Sequence, residues 1–424
     1  MERDLMSELF QWKERENRKP LILRGSRQVG KTWLIREFAQ RAYQNHVYVN
    51  FEDDEILRNV FTQDFDIERI ISVVGLRMHT VIDSDTLIIF DEIQAAPRGI
   101  TSLKYFFEKA PQLHVVAAGS LLGISSHFDE SFPVGKVDYL NLYPLSFREF
   151  LRAVGESQLL ELLEKKDWNK MIYVRDRLIS LLKTYYFIGG MPEVVDSFLH
   201  RHDYDEVRRL QNNILLTYSD DMSKHAPKEL VPRMRLVWNS VVGQLAKENR
   251  KFLYGLLRNG GRAKDFEMAI EWLVNAGLIY KVHRCKSGEL PLSAYEDTSS
   301  FKVFMLDVGL LCAMSKLPAE TLVNGNELFL TYKGAMTEQY VYQQLRSKVD
   351  FAYYWSADNS KGEIDFLVQD KGRVIPVEVK AEENLKSRSL RSFVSSYEGM
   401  HGIRLSMSDY RKQDWMTNIP LYAI

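Results

Sequence analysis

Apolar residues recur along this chain at two spacings, one helical and one extended, and the changes between them outline its elements. Leu5, Leu9 and Trp12 share one face and predict a short helix over residues 5–18. Leu21-Ile22-Leu23 is a short apolar strand, and a helix is expected from Trp33 to Arg41. Val47 to Phe51 is β-rich and predicts the next parallel strand; the acids Glu52 to Glu55 behind it read as a solvated loop or helix start. Helical spacing resumes at Ile67, Ile70, Ile71 and Val74. Leu87 to Phe90 and Leu113 to Ala118 lack polar alternation, as strands buried on both faces of a parallel sheet do.

Residues 158–221 are mostly helical in pattern, interrupted at Gly189-Gly190-Met191-Pro192, a helix stop with a Pro-fixed restart. That break serves either as the hinge of a helical lid or as a plain inter-helix turn. Residues 228–310 predict three helices and a hairpin. The first carries Val231, Met234, Trp238, Val241 and Leu245 on one face, the second spans Phe252–Leu257, and the third runs from Ala263 to Ala276, capped by Gly277. The hairpin pairs Leu278–Val282 with Leu290–Tyr295, a winged-helix arrangement that either enters a DNA groove or packs as a docking module. Its basic residues are Arg258, Arg262, Lys264, Lys281, Arg284 and Lys286, diluted by Asp265, Glu267 and Glu271. The last hundred residues predict a helix with Glu338, Val341, Tyr342 and Leu345 on one face. A strand over Phe351–Trp355 follows, then a hairpin from Gly362 to Lys380 that turns at Asp370-Lys371-Gly372.

Composition narrows the classes. At 424 residues, two to four domains are expected. The 56 basic and 57 acidic residues nearly cancel, so any nucleic-acid site must be a local patch. Cys285 and Cys312 are too few for a disulfide scaffold or a cysteine zinc site and suit a reducing compartment. The charged start, Met1-Glu2-Arg3-Asp4, lacks a signal-peptide core, and no apolar window reaches membrane-spanning length. A soluble, cytoplasmic protein with no membrane partner is expected.

Two constellations carry chemistry. Gly25-Ser26-Arg27-Gln28-Val29-Gly30-Lys31-Thr32 matches GxxxxGK[ST] between a strand and a helix that opens at Trp33. The glycines let backbone N–H groups turn toward phosphate oxygens, Lys31 brings charge to the β- and γ-phosphates, and Thr32 offers a hydroxyl to Mg²⁺. Asp91 and Glu92 end the buried strand about sixty residues later, Asp91 placed for the Mg²⁺ shell and Glu92 for the attacking water. Ser120 ends the next strand, where it either contacts the γ-phosphate or caps a turn. In the C-terminal hairpin, Glu378 and Lys380 share a strand face that Asp365 reaches from the partner strand. Two carboxylates and an ammonium suit Mg²⁺-dependent phosphodiester hydrolysis, and Glu338 adds a further carboxylate from its helix.

The phosphate loop, Asp91-Glu92-Ile93-Gln94, Gly119-Ser120, Gly135-Lys136-Val137 and Leu142 to Phe150 together resemble a family of prokaryotic AAA-type ATPases. Its C-terminal region was long catalogued as a domain of unknown function. The family commonly carries Gly-Arg where Gly135-Lys136 stands here, and Ser120 replaces the Asn common at the sensor position of other AAA proteins. Asp365 with Glu378-x-Lys380 resembles the PD-(D/E)xK nuclease superfamily.

The expected architecture is α/β. A P-loop parallel-sheet ATPase core spans residues 1–155 and a helical lid 156–225. A winged-helix domain spans 226–325, and a restriction-endonuclease-like α/β domain spans 326–424. ATP and Mg²⁺ are the expected cofactors and DNA the expected macromolecular partner; a homo-oligomer is one option, since in AAA-like ATPases the arginine finger often comes from a neighbouring subunit. Arg148, Arg233 and Arg235 are finger candidates by position alone. The expected function is ATP hydrolysis coupled to a DNA-acting nuclease-like domain. The alternatives are an ATP-switched DNA- or protein-binding regulator with an inactive nuclease fold and, less favoured, a protein-remodelling motor.

Overall fold

A computed structural model describes residues 1–120, 133–247, 251–318, 330–349, 351–357, 362–382 and 386–424. The chain divides into two compact units, Met1–Tyr143 with Asn275–Gly277, and Pro144–Val274 with Leu278–Ile424.

The first unit is built on five strands: β1 (Leu21–Gly25), β2 (Asn45–Asn50), β3 (Thr86–Asp91), β4 (His114–Ser120) and β5 (Asp138–Asn141), in the order β2-β3-β4-β1-β5. Every pairing is parallel, as the unalternating apolar runs predict. Ile22, Val49, Phe90 and Ala117 from four of these strands enter one core with Phe51, Phe61 and Phe106. The Phe90 ring meets Phe61 and Phe106 edge-on at 5.8 and 5.7 Å. The acids after β2 are a helix start: Asp54 accepts the N–H groups of Ile56 and Leu57 and caps a single turn, Glu55–Arg58. The first helix is shorter than its pattern, Met6–Lys13, and buries Met6, Leu9 and Trp12.

The second unit opens with a capping box. Ser146 and Glu149 satisfy each other's backbone N–H groups at the start of a helix over Phe147–Ala153. Helices Ser157–Lys165, Arg175–Ile188, Pro192–Arg201 and Tyr204–His225 follow, matching the helical reading of 158–221. The Gly189-Gly190 break is a site of close packing. A Cβ on Gly189, whose φ is +74°, would stand 2.1 Å from the Asp307 carboxylate, and one on Gly190 would stand 2.1 Å from the Leu145 carbonyl.

Residues 226–325, expected as a winged helix, depart from that pattern in two places. The second helix is only a 3-10 turn, Tyr254–Leu256. Its would-be helical backbone bonds elsewhere: Phe252 N–H donates to Phe301 O at 2.8 Å, and the Gln244 amide brackets Leu253 at 2.9 and 3.0 Å. The return strand of the hairpin is not Leu290–Tyr295, where Pro291 lacks a ladder N–H and Leu292–Tyr295 forms a 3-10 turn. It is β7 (Glu296–Met305), antiparallel to β6 (Ile279–Cys285).

That hairpin is part of a larger sheet. β8 (Ala352–Ser356), β9 (Glu363–Asp370), β10 (Arg373–Val379), β11 (Gly402–Ser406), β12 (Arg411–Lys412) and β13 (Met416–Pro420) join it in the order β12-β13-β11-β10-β9-β8-β6-β7. The β9–β10 hairpin turns through Lys371 and Gly372 at φ +45° and +75°, as a tight hairpin requires. No helix among the described residues is long and apolar enough to cross a membrane.

Candidate functional site

The phosphate-loop residues lie between β1 and the helix Lys31–Ala42. Gly30 takes φ +92° and Gln28 φ +65°, the two left-handed residues that turn the loop. Gly25 is needed for a different reason: a Cβ there would approach Leu142 O to 2.5 Å. Ser26 and Val29 are buried, Arg27 is half-buried, and Gln28 and Trp33 face solvent. Arg3, from the segment before the first helix, donates to Val29 O at 3.0 Å and Tyr143 O at 2.5 Å and so pins the loop. Nothing in the local pattern around Arg3 signals this role.

Lys31 is buried, and its ammonium donates to the carbonyls of Gly25 and Ser26, both at 2.9 Å. Burial pulls its pKa down to about 8, with Glu92 and Asp91 opposing that shift. Asp91 gathers the rest of the site. Its Oδ2 accepts from Thr32 Oγ1 at 2.8 Å and from the Tyr48 hydroxyl at 2.6 Å, and its Oδ1 accepts the Glu92 N–H at 3.0 Å. Thr32 and Asp91 thus meet across 59 residues of sequence. Glu92 sits at φ +48° with its carboxylate bonded by the Gln94 amide. Burial raises the Glu92 pKa, the Gln94 bond and Lys31 lower it, and Asp91 raises it further. Tyr48 was not singled out by its sequence; it faces Ile89 in the β2–β3 ladder, and its hydroxyl reaches Asp91 two residues further along.

Ser120 pairs with Gly25 in the β1–β4 ladder, and its side chain lies outside the described residues. Lys136 forms an ion pair with Glu108 at 3.2 Å. Among the finger candidates, Arg148 pairs with Glu164 at 2.9 Å and Arg235 donates to Ser223 Oγ at 2.8 Å, both within the second unit.

In the second unit, β9 carries Asp365, β10 carries Glu378, and Lys380 follows directly after β10. Asp365 Oδ2 accepts the Val379 N–H at 2.7 Å, and Lys380 Nζ stands 3.3 Å from Glu378 Oε1. Glu378 is buried, and its Oε2 has no hydrogen-bond partner. Register continues the polar row: Glu378 faces Arg404 on β11, and Arg404 faces Asn418 on β13. Buried Arg404 donates to Asn418 Oδ1 at 2.8 Å and to Ser387 Oγ at 3.3 Å. Burial lowers the Arg404 pKa, and Glu378 opposes that shift. Glu338 does not join this group; its Oε2 lies 3.6 Å from the fully buried Lys302 ammonium, which also contacts Glu363. Among the described residues, no three His, Cys, Asp or Glu side chains converge to hold a metal ion.

Two basic residues of the β6–β7 hairpin are engaged. Lys281 pairs with Glu271, and Arg284 donates to Ser356 O at 2.6 Å and approaches Asp297 at 3.8 Å. The helix Ala263–Asn275 exposes Lys264 together with Glu267 and Met268, a face without net positive charge.

Residues 17–151 match the model of an AAA domain. Residues 179–321 match a domain of unknown function (DUF8612), and residues 333–424 match another (DUF4143). Among solved structures, a Walker-type ATPase of Pyrococcus abyssi is similar at 13% identity and TM-score 0.47, over 74% of this chain and 95% of that one. The Aeropyrum pernix ORC1 protein in complex with DNA follows at 12% identity and TM-score 0.30, over 75% and 94%. AMPPCP-bound DnaA from Aquifex aeolicus stands at 12% identity and TM-score 0.28, over 65% and 86%. No curated protein matches the chain. The domain match, the phosphate loop and the parallel sheet support an AAA-type ATPase domain that binds and hydrolyses ATP. The matches over the second unit carry neither a winged-helix nor a nuclease description.

Proposed function

We propose that this chain couples the nucleotide state of its ATPase domain to a metal-dependent, nuclease-like site acting on DNA. In the ATPase domain the Thr32 hydroxyl donates to Asp91 Oδ2 at 2.8 Å, and these two side chains would hold Mg²⁺ beside the phosphate loop. The ion would supply positive charge against the phosphates when bound. The loop from Gly25 to Gly30 presents its N–H groups to phosphate, and Lys31 supplies the charge. Glu92 orients water toward the terminal phosphate, with Gln94 fixing the carboxylate.

The observation that carries the nuclease-like half is the buried, unpartnered Glu378 Oε2 beside Lys380 on the strand next to Asp365. A carboxylate oxygen kept from water without a donor is stabilised by a cation. Asp365 and Glu378 would hold a divalent ion, and Lys380 places an ammonium where the attacked phosphate gathers charge.

The test is cleavage of plasmid and linear DNA with Mg²⁺ or Mn²⁺, with and without ATP, comparing wild type, Lys31→Ala and Lys380→Ala. Cleavage abolished in Lys380→Ala and altered by ATP or by Lys31→Ala is the expected result. Intact ATP hydrolysis with no cleavage under any condition sinks the nuclease reading.

A second reading has its own observation. Arg404 faces Glu378 across β10 and β11, so a fixed cation already stands beside the carboxylate. This favours an ATP-switched regulator whose nuclease-like fold binds without cutting. Asp365→Ala and Lys380→Ala would then keep ATP-dependent DNA binding.

A further inference from the structure

We propose that Arg36 is a positioning residue for ATP hydrolysis: its guanidinium lies on the Tyr48 ring and thereby keeps the Tyr48 hydroxyl on Asp91. The inference deepens the ATPase half of the reading above, in which Asp91 is the metal carboxylate, and adds to it a residue that acts through another.

Arg36 lies on the helix Lys31–Ala42, four residues after Thr32, so the two side chains project from one face of that helix, a turn apart. Thr32 donates directly to Asp91 Oδ2 at 2.8 Å. The Arg36 guanidinium carbon stands 4.0 Å from the centre of the Tyr48 ring, and the Tyr48 hydroxyl donates to the same Asp91 oxygen at 2.6 Å. One helix therefore reaches Asp91 Oδ2 by two arms, a hydroxyl and a guanidinium stacked on a phenol.

Tyr48 is the member of this group that needs support. It lies on β2, an outermost strand of the five-stranded sheet, and is only half-buried, whereas Asp91 is buried. A half-exposed phenol can swing its hydroxyl off a partner and into water. A planar guanidinium laid on the ring opposes that swing, and an exposed contact of this kind shifts an equilibrium by about two- to fivefold. The same positive charge polarises the phenol O–H toward the Asp91 carboxylate. Arg36 is itself exposed, so removing its charge opens no cavity in the core.

The experiment is a pair of double-mutant cycles on the full chain. The first compares the ATPase kinetics of wild type, Arg36→Met, Tyr48→Phe and the double variant; Tyr48→Phe keeps the ring and removes the hydroxyl. Arg36→Met should lower kcat about threefold, with KM for ATP changed less than twofold. In the Tyr48→Phe background it should lower kcat no further. The second cycle uses urea denaturation of the protein free of nucleotide and Mg²⁺, with Arg36→Met, Tyr48→Leu and both. Arg36→Met should lower the folding equilibrium constant about two- to fivefold, and not at all once residue 48 lacks its ring. Three results overturn the proposal and leave the ATPase reading in place: an unchanged or raised kcat in Arg36→Met, an equal fall in the Tyr48→Phe background, or additive changes in the urea cycle. A wild type that hydrolyses no ATP, or hydrolysis that survives Lys31→Ala, overturns that reading and the proposal together. The kinetic cycle carries the test if Tyr48→Leu fails to fold.

Discussion

The Asp307 carboxylate accepts the Gly190 N–H at 2.7 Å, joining the cap of one helix to the break between two others. Asp307 also accepts from Leu310 N–H at 3.0 Å and Gln343 Nε2 at 3.1 Å. Burial raises its pKa, and these donors oppose the shift. The Gly189-Gly190 element is therefore a packed junction within the second unit. Asp307→Ala leaves several buried donors unsatisfied and should lower stability by about 3 kcal/mol. Gly189→Ala should cost at least about 2 kcal/mol from backbone strain and the clash with Asp307. Urea denaturation measures both. If the element is a junction rather than a hinge, folded Gly189→Ala keeps its ATPase rate.

Tyr48 holds the same Asp91 oxygen that Thr32 holds. Burial and the bond to Asp91 both raise its pKa, so the phenol stays a donor through the working pH range. Tyr48→Phe removes one restraint on Asp91 and keeps the ring. The ATPase kcat should fall about tenfold, the equivalent of ~1.4 kcal/mol, with KM for ATP changed less than threefold. An unchanged kcat would mean that Thr32 and the Glu92 N–H position Asp91 without Tyr48.

Lys31 predicts a pH dependence with two opposite signs. Its folded pKa of about 8 lies below the ordinary 10.5. Between those values the unfolded chain holds more protons, so the nucleotide-free protein gains stability as pH rises through that window. ATP requires the charged ammonium, so affinity should fall across the same window by up to about tenfold per pH unit. Calorimetry at pH 7, 8 and 9 in two buffers of different ionisation heat would read proton uptake on binding. Flat affinity with no uptake would contradict a buried, depressed Lys31.

Arg404 and Glu378 are cross-strand neighbours, both buried. Arg404→Met takes away the guanidinium bonds to Asn418 and Ser387 and the charge beside Glu378. Loss of one partner from a buried polar network should cost about 3 kcal/mol. Arg404→Lys should recover less than half of this, because an ammonium cannot reproduce the planar fork. Thermal melting of both variants checks the order.

Local patterns were enough for much of the chain. GxxxxGK[ST] between strand and helix marks the phosphate loop, because the loop's turns and its dipole-bearing helix are written in adjacent residues. The unalternating runs of β3 and β4 mark a parallel sheet, since only strands covered on both faces are apolar on both. The β9–β10 hairpin follows from period-two geometry and a turn at Lys371-Gly372. What tertiary structure decided is which distant residues meet. β11 buries Arg404 and Ser406 alongside Leu405, so polar residues fill one buried face and the strand lacks the apolar run that would mark it. The pairing of β6 with both β7 and β8, which makes one eight-stranded sheet of 279–305 and 352–420, depends on backbone groups far apart in sequence. The same holds for Arg3 on Val29, Tyr48 on Asp91 and Lys302 on Glu338: each is an ordinary residue in its own segment. A charge or hydroxyl acquires its role only when folding removes water and leaves one partner within reach, and the chain's local order carries no record of that partner.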